Sequence, residues 1–532
     1  MVPWAAVPRA APARQASSQR LAACASIVAA AVILAACATP PQPPSPPPLD
    51  MPAAWRLEAP WQVGKPSDTL PKGPWWQSFG DARLNRLIEQ ALTGSPTLEV
   101  ASARLEQARR NVDAAEAAAL PQLGANARVQ RAAISANRPL TNFAAPNFST
   151  VQNDFAIGLA ASYELDLSGR VRATLAGARA SAEQVAADYE NTRLVLTADL
   201  ASAYYNLAAL DIEIDAVARS IALQRRALEF VSERHRLGAS SGLELAQQQA
   251  LLDATMTQVD VLRRQRAQFE NALGTLTGAG APAFTLPPEV RELKPPPVPL
   301  GVPSDVLQRR PDVASASRAM AAANAQIGVA NAAFYPSVML QAAFGPDTLV
   351  MAWLFDLPSV LWSIGVSATQ MIYDGGRTRA NVDFARAGYQ ATVAGYRRTV
   401  LTAMQEVQDG ISGLAALERA TNQQRAAVTS ATRVLDLANA RYEGGVATYL
   451  EVITAQQSLL TAERQLAQLL GQRLLTSVFL VKALGGGWEG MPATAAAPAM
   501  PLTAAAPASS PSATATTREA ASTTAATATR IR

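Results

Sequence analysis

The chain has 532 residues, 49% of them apolar but only 6% aromatic, with 46 basic and 42 acidic side chains. Three basic residues, Arg9, Arg14 and Arg20, lie in a leader-like segment, which leaves 43 basic against 42 acidic residues and no charge footprint for nucleic acid. One histidine and two cysteines exclude a zinc constellation and a Ser-His-Asp triad, no glycine motif cradles phosphate, and the alanine-rich balance suits packed helices better than a globular enzyme.

The first 36 residues carry those arginines, no acid, and an apolar run from Leu21 to Ala36, as a secretory signal does. Leu34-Ala35-Ala36-Cys37 resembles the bacterial lipoprotein signal. That resemblance implies cleavage before Cys37, a covalent diacylglyceryl and N-acyl lipid on it, and, because Ala38 rather than aspartate follows, an outer-membrane destination. Cys24 also follows two alanines but has no apolar run before it. Cleavage before Cys37 leaves one cysteine, so no internal disulfide is expected. No other stretch reads as a spanning helix. Residues 37–74 form a proline-rich tether, and residues 488–532 read as a disordered tail of alanine, threonine, proline and serine.

The folded part opens at Trp75-Trp76-Gln77-Ser78-Phe79, and Gly94-Ser95-Pro96 separates its first helix from a second, Thr97 to Ala119. Strands follow with period two: Leu123, Ala125, Ala127 and Val129, then Phe155, Ile157, Leu159, Ala161, Tyr163, Leu165 and Leu167, are apolar against a small or polar alternate face. From Val171 to Leu237 there is no proline and one glycine, enough for a helix of about 100 Å. Steps of three and four trace an apolar seam from Val171 to Val231, broken only at Thr192 and Gln224, which is a coiled-coil pattern. After a turn at Gly238, Leu243 to Thr277 returns as a helix too short to cover its partner, and Thr97 to Ala119 supplies the missing length if the two stack end to end. His235, the sole histidine, ends the long helix, where a solvated or capping role is expected.

The plan is then repeated. Pro96 and Pro121 match Pro311 and Pro336 at an offset of 215, while Ser168 to Ala173 matches Gly375 to Ala380, and Gly238 to Leu245 matches Gly445 to Val452, at 207. The offset falls by eight between Pro121 and Gly169, a difference expected in the connection between two strands. The first repeat covers 75–285, with a β-hairpin at about 121–168 and a helical hairpin at about 169–277. A proline-rich linker, 286–303, leads to a second repeat over 304–487, with its β-hairpin at about 336–374 and its helices Asp312 to Tyr335, Thr378 to Tyr442 and Leu450 to Leu484. Four strands with one apolar face suit a membrane barrel but cannot close one, since barrels begin at about eight strands. Two chains would give eight strands and three would give twelve.

These residues resemble the outer membrane factor family, the TolC-like lipoprotein ducts. The resemblance rests on the Trp-Trp-x-x-Phe-x-Asp-x-x-Leu-Asn-x-Leu-Ile opening, Arg310-Pro311-Asp312-Val313 with Ile327-Gly328 and Phe334-Tyr335-Pro336, Tyr163-Glu164-Leu165-Asp166, Asp374-Gly375-Gly376-Arg377, and Arg441-Tyr442-Glu443 through Gly445. It implies a mainly α protein with a membrane β-barrel, a homotrimer of twelve strands continued by a helical tunnel. It also implies no cofactor or enzymatic activity, contact with outer membrane lipid, and as partners a periplasmic adaptor and an inner-membrane pump of the resistance, nodulation and division type. Gly169, Arg170, Gly376 and Arg377 would mark the barrel-to-helix junctions, and Gly238 and Gly445 the turns at the gate. Glu451 falls on an acidic gate position and Tyr442 on that of a latching tyrosine, with Glu244 near the first turn. Thr454 and Ala447 depart from an acid and an arginine seen in some members, which implies a gate closed mainly by packing. For Glu244 and Glu451 the bland alternative is a solvated helix start, where a carboxylate suits the dipole. A coiled-coil spacer that conducts nothing is the rival for the whole chain, but it has no use for amphipathic strands.

Overall fold

A computed structural model describes residues 74–135, 150–291, 294–296 and 309–486. Cys37, Ala38, the tether up to residue 73 and the tail lie outside the described residues, as does half of the proline-rich linker.

The chain opens with a 3-10 turn, Trp75–Phe79, and then α1 (Ala82–Gly94), whose N-cap Asp81 accepts from the Arg83 and Leu84 amides. Helix α2 (Pro96–Ala117) starts at a proline that tolerates the first helical position. Strands β1 (Gln122–Ile134) and β2 (Thr150–Leu165) form an antiparallel hairpin, followed by α3 (Arg170–Arg236) and α4 (Gly242–Leu276). The second copy gives α5 (Pro311–Ala332), β3 (Ser337–Thr348), β4 (Val360–Thr369), α6 (Arg377–Glu443) and α7 (Tyr449–Ala483). Helices α3 and α6 each have 67 residues, about 100 Å at 1.5 Å per residue. No described helix is long and apolar enough to cross a membrane.

The strands make one antiparallel sheet in the order β1-β2-β3-β4, which leaves β1 and β4 as unpaired edges. Its apolar face is bare: Leu123, Val129, Trp362, Ile364 and Val366 are all exposed. Leu167 falls beyond the strand, because its amide turns back to the Leu165 carbonyl and Asp166 caps α3. The eight-residue difference between the copies also lies elsewhere than expected. The β1–β2 ladder runs from Gln122↔Ser162 to Ile134↔Thr150, whereas the β3–β4 ladder spans Ser337↔Thr369 to Pro346↔Val360, so each strand of the first ladder is three residues longer. Only two residues of the difference fall in the connection. Paired strands take insertions in matched numbers, which preserves the register of the apolar face.

The proposed end-to-end stacking is present in both copies. Where α4 ends, Gly278 lies so close to Gly94 that a Cβ would collide with the Gly94 carbonyl, and where α7 ends, Gly485 abuts Arg309 in the same way. Helix α2 covers the upper part of α3 through Glu116 and Arg179, 2.6 Å apart, while α4 covers the lower part through Arg266 and Asp211, also 2.6 Å apart. Helices α5 and α7 pack along another flank of α3 and also against α6, so the copies are interleaved.

Along its middle, α3 buries more than the single seam. Leu194, Ala198, Ala201, Tyr204, Tyr205 and Ala208 form an additional stripe because the Trp75–Phe79 turn and α1 wrap over it. The start of the proline-rich linker is fastened here as well. The Leu286 amide donates to Glu270, the Pro287 carbonyl accepts from Arg83, the Glu289 amide donates to Asp211, and Arg291 pairs with Asp81 and donates to Tyr204.

Candidate functional site

The sequence-derived positions fall at two levels of the chain. The first is the sheet-to-helix junction, where Gly169 and Gly376 take the left-handed backbone, φ 77° and 90°, and turn a strand into a helix within a few residues. An aspartate caps each helix. Asp166 accepts from the Val171 and Arg172 amides at 3.1 and 2.9 Å, and Asp374 accepts from the Gly376 and Thr378 amides and from the Thr378 hydroxyl at 2.6 Å. The Thr378 hydroxyl and amide hold the Asp374 carboxyl below its usual range. Arg170 binds Glu164 at 2.9 Å, which ties the first turn of α3 to the last residues of β2, while Arg377 begins α6 with its side chain exposed.

The second level is the tip of the helical hairpins. Gly238 and Gly445, at φ 73° and 74°, end α3 and α6 in matching turns: the Ala239 amide reaches the Arg234 carbonyl at 2.8 Å, and Val446 reaches Arg441 at 3.0 Å. His235 is exposed at the end of α3, within the solvated-or-capping expectation, and its Nδ1 lies 2.9 Å from the Ser240 carbonyl oxygen in the turn that follows. Glu244 and Glu451 both sit in first turns, of α4 and α7, where the helix dipole favours a carboxylate.

The fold separates their roles. Glu244 reaches across to the other hairpin, where its Oε2 accepts from the Tyr442 hydroxyl at 2.9 Å. Burial, and then the adjoining Glu244 carboxylate, push that hydroxyl's pKa up. Glu451 stays within its own hairpin, 3.5 Å from Arg441 and exposed, a geometry worth about 0–1 kcal/mol. Thr454 only returns its hydroxyl to the Leu450 carbonyl.

Packing accounts for part of this tip, since Val231, Leu251, Tyr442, Tyr449 and Val452 form one buried cluster. Polar links complete it. The Arg234 guanidinium lies 5.1 Å from the Tyr442 ring centre, and the Tyr449 hydroxyl donates to Gln248 Oε1 at 2.8 Å. Gln248 in turn donates to the Gln224 carbonyl at 2.9 Å. Burial raises the Tyr449 hydroxyl pKa well above its usual range. Sequence reasoning missed Tyr449 and Gln248; a tyrosine at a seam position was the available signal, since its hydroxyl needs a partner when the ring is buried. Gln224, the break in the α3 seam, is the polar element of that layer, and polar seam residues specify register in coiled coils.

An open-edged antiparallel sheet with one apolar and one small or polar face, continued by interleaved helical hairpins, defines the subunit of a barrel-and-tunnel membrane channel. The chain belongs to the outer membrane efflux protein family, whose model matches residues 87–279 and 302–486. It is 34% identical to outer membrane protein OprJ of Pseudomonas aeruginosa over 450 residues, 82% of this chain and 90% of that protein. It is 31% identical to the pyoverdine export outer membrane protein OpmQ of the same species, over 83% of this chain and 92% of that one. Among solved structures, VceC of Vibrio cholerae superposes with a TM-score of 0.72 at 30% identity, over 79% of this chain and all of that one. The open-state MtrE channel of Neisseria gonorrhoeae does so with 0.73 at 28% identity, over 85% and 98%. The chain is therefore an outer-membrane efflux channel component, with its helical tunnel in the periplasm.

Proposed function

We propose that three copies of the chain close a twelve-stranded barrel in the outer membrane and a continuous helical tunnel below it. The duct passes small molecules outward from a periplasmic adaptor and an inner-membrane pump of the resistance, nodulation and division type. The observation that carries this reading is the pair of unpaired edges, β1 and β4, on a sheet whose outward face is apolar. Such edges associate unless they are covered, and a closed barrel removes them.

The helices support the same closure. Helix α3 is flanked by α2 and α4 and also by α5 and α7, whereas its counterpart α6 packs on α5 and α7 and exposes Phe384, Leu401, Val434 and Leu437. A second copy offering its α2 and α4 would give α6 the surroundings that α3 already has, a head-to-tail contact that generates a ring. In this reading the chain does no catalysis, Cys37 carries the lipid anchor, and the tip around Glu244, Tyr442 and Glu451 is the gate.

Electron microscopy of the detergent-solubilised protein tests the reading. A threefold hollow tube with a detergent belt at one end is expected. A solid rod, or single chains without a barrel, would refute the duct.

A further inference from the structure

Charge is sparse and uneven on the sheet. Its strands carry Arg128, Arg131, Asp154, Glu164 and Asp347 as their charged side chains. Arg131 alternates with Arg128 and so shares the apolar face with Val129. Glu164, at the helix end, is offset by Arg170 at 2.9 Å. The other three meet on the small or polar face. Arg128 pairs in register with Ala156, and Ala156 with Asp347, so a single row crosses β1, β2 and β3, with Asp154 two residues along β2 on the same face.

Arg128 Nη2 lies 2.8 Å from Asp154 Oδ2 and 3.6 Å from Asp347 Oδ2. One guanidinium thus serves two carboxylates. Asp154 Oδ1 is shielded from solvent and has no hydrogen-bond partner. The row lies just past the end of the β3–β4 ladder on the side away from the helices, where all four strands cease to pair, while β1 and β2 run on together to Ile134 and Thr150. In the closed barrel this is the outer mouth.

We propose that Arg128, Asp154 and Asp347 set the charge preference of the duct at its outer mouth, each copy contributing one uncompensated negative charge to a ring facing the lumen. The inference rests on the closed-barrel reading of the sheet. A ring of one sign, set in low-dielectric walls, concentrates counter-ions and repels co-ions. It therefore favours cations and opposes the return of anions from outside. The alternative is that the three residues merely clamp β1, β2 and β3 in register. The two roles differ in sign: removing the arginine or the aspartates weakens a clamp alike, but shifts a charge filter in opposite directions.

The test is the reversal potential of the purified full-length protein in planar bilayers under a potassium chloride gradient. Arg128→Gln is expected to shift it toward cations and Asp347→Asn toward anions, while Arg128→Lys behaves as the unaltered protein. The shifts should fade between about 0.01 and 1 M salt, as the Debye length falls from about 30 to about 3 Å. Variants that form channels with unmoved reversal potentials overturn the filter, and so do shifts of the same sign. If Arg128→Gln does not assemble, the sign of the Asp347→Asn shift decides alone. Failure of the unaltered protein to form channels refutes the duct reading and the filter with it.

Discussion

The Tyr442 hydroxyl donates a 2.9 Å hydrogen bond to Glu244 Oε2, joining residues 198 apart and fastening one helical hairpin to the other at the tunnel tip. Removing that hydroxyl while keeping the ring should loosen the tip alone. Tyr442→Phe is expected to cost about 1.5 kcal/mol, the scale of a hydrogen bond to a charged group. Amide exchange should quicken in the first turns of α4 and the last turn of α6, and single-channel conductance should rise. Unchanged exchange and conductance would assign the closure to packing. Glu451→Ala breaks only an exposed pair with Arg441. It should leave stability within about 0.5 kcal/mol and lower the cation preference of the channel.

Acid sensitivity should trace in part to Asp81. Burial raises its carboxyl pKa, but hydrogen bonds from Arg291 and the Leu84 amide outweigh burial and hold it below the usual range. A depressed folded-state pKa stabilises the fold above the unfolded value of about 3.9 and loses that contribution as pH falls through the folded value. Thermal unfolding followed from pH 7 to pH 3 should show Asp81→Asn less stable at neutral pH, with the gap to the unaltered protein closing below about pH 4. A gap independent of pH would show that the carboxylate charge is immaterial.

Two glycines with the same backbone sign should respond differently to alanine. At Gly238, φ is 73° and a Cβ meets nothing within 4 Å, so the cost should be the left-handed penalty of about 1–2 kcal/mol. At Gly278, φ is 79° and the Cβ would strike the Gly94 carbonyl, where α4 meets the start of α2. Gly278→Ala should therefore lower the unfolding temperature well beyond Gly238→Ala. Equal effects would mean that the end-to-end junction yields freely.

Arg266 is the hub of a buried network, bonded to Asp211 at 2.6 Å, Glu270 at 3.0 Å and the Leu286 carbonyl at 2.7 Å. Arg266→Met strands the Asp211 carboxylate and should cost about 3–5 kcal/mol. Limited proteolysis should then cut at residues 286–291, which the network holds against the body. The double variant Arg266→Met with Asp211→Leu should recover part of the loss, because the Asp211 charge is gone while Glu270 keeps only the Leu286 amide as partner.

Much of this fold was legible because its signals are local. Proline and glycine bounded the helices, and the period-three-and-four seam ran through α3 without meeting an exposed position. The capping aspartates, Asp166 and Asp374, stood beside the junction glycines, and the same plan was written twice. Glu244 and Tyr442 were both singled out, though nothing in the sequence joined them. Gln248 and Arg266 escaped notice because each resembles an ordinary helix-surface residue until its partner on another helix is known, and Tyr449 because a buried ring does not say which helix supplies the partner of its hydroxyl.

The sequence by itself determined which segments are strand and helix, which strand face is apolar, where the helices turn, and that the chain is a doubled unit, since all of these follow from periodicity and backbone preference within a few residues. Only the tertiary structure decided that α5 and α7 lie between α3 and α6, that Glu244 faces Tyr442 while Glu451 stays with Arg441, and that one arginine stands between two aspartates on the sheet. Those relations depend on lateral order and register between elements far apart in the chain. A repeating apolar seam accepts several arrangements of neighbours equally well, and complementary side chains and close glycine contacts choose among them.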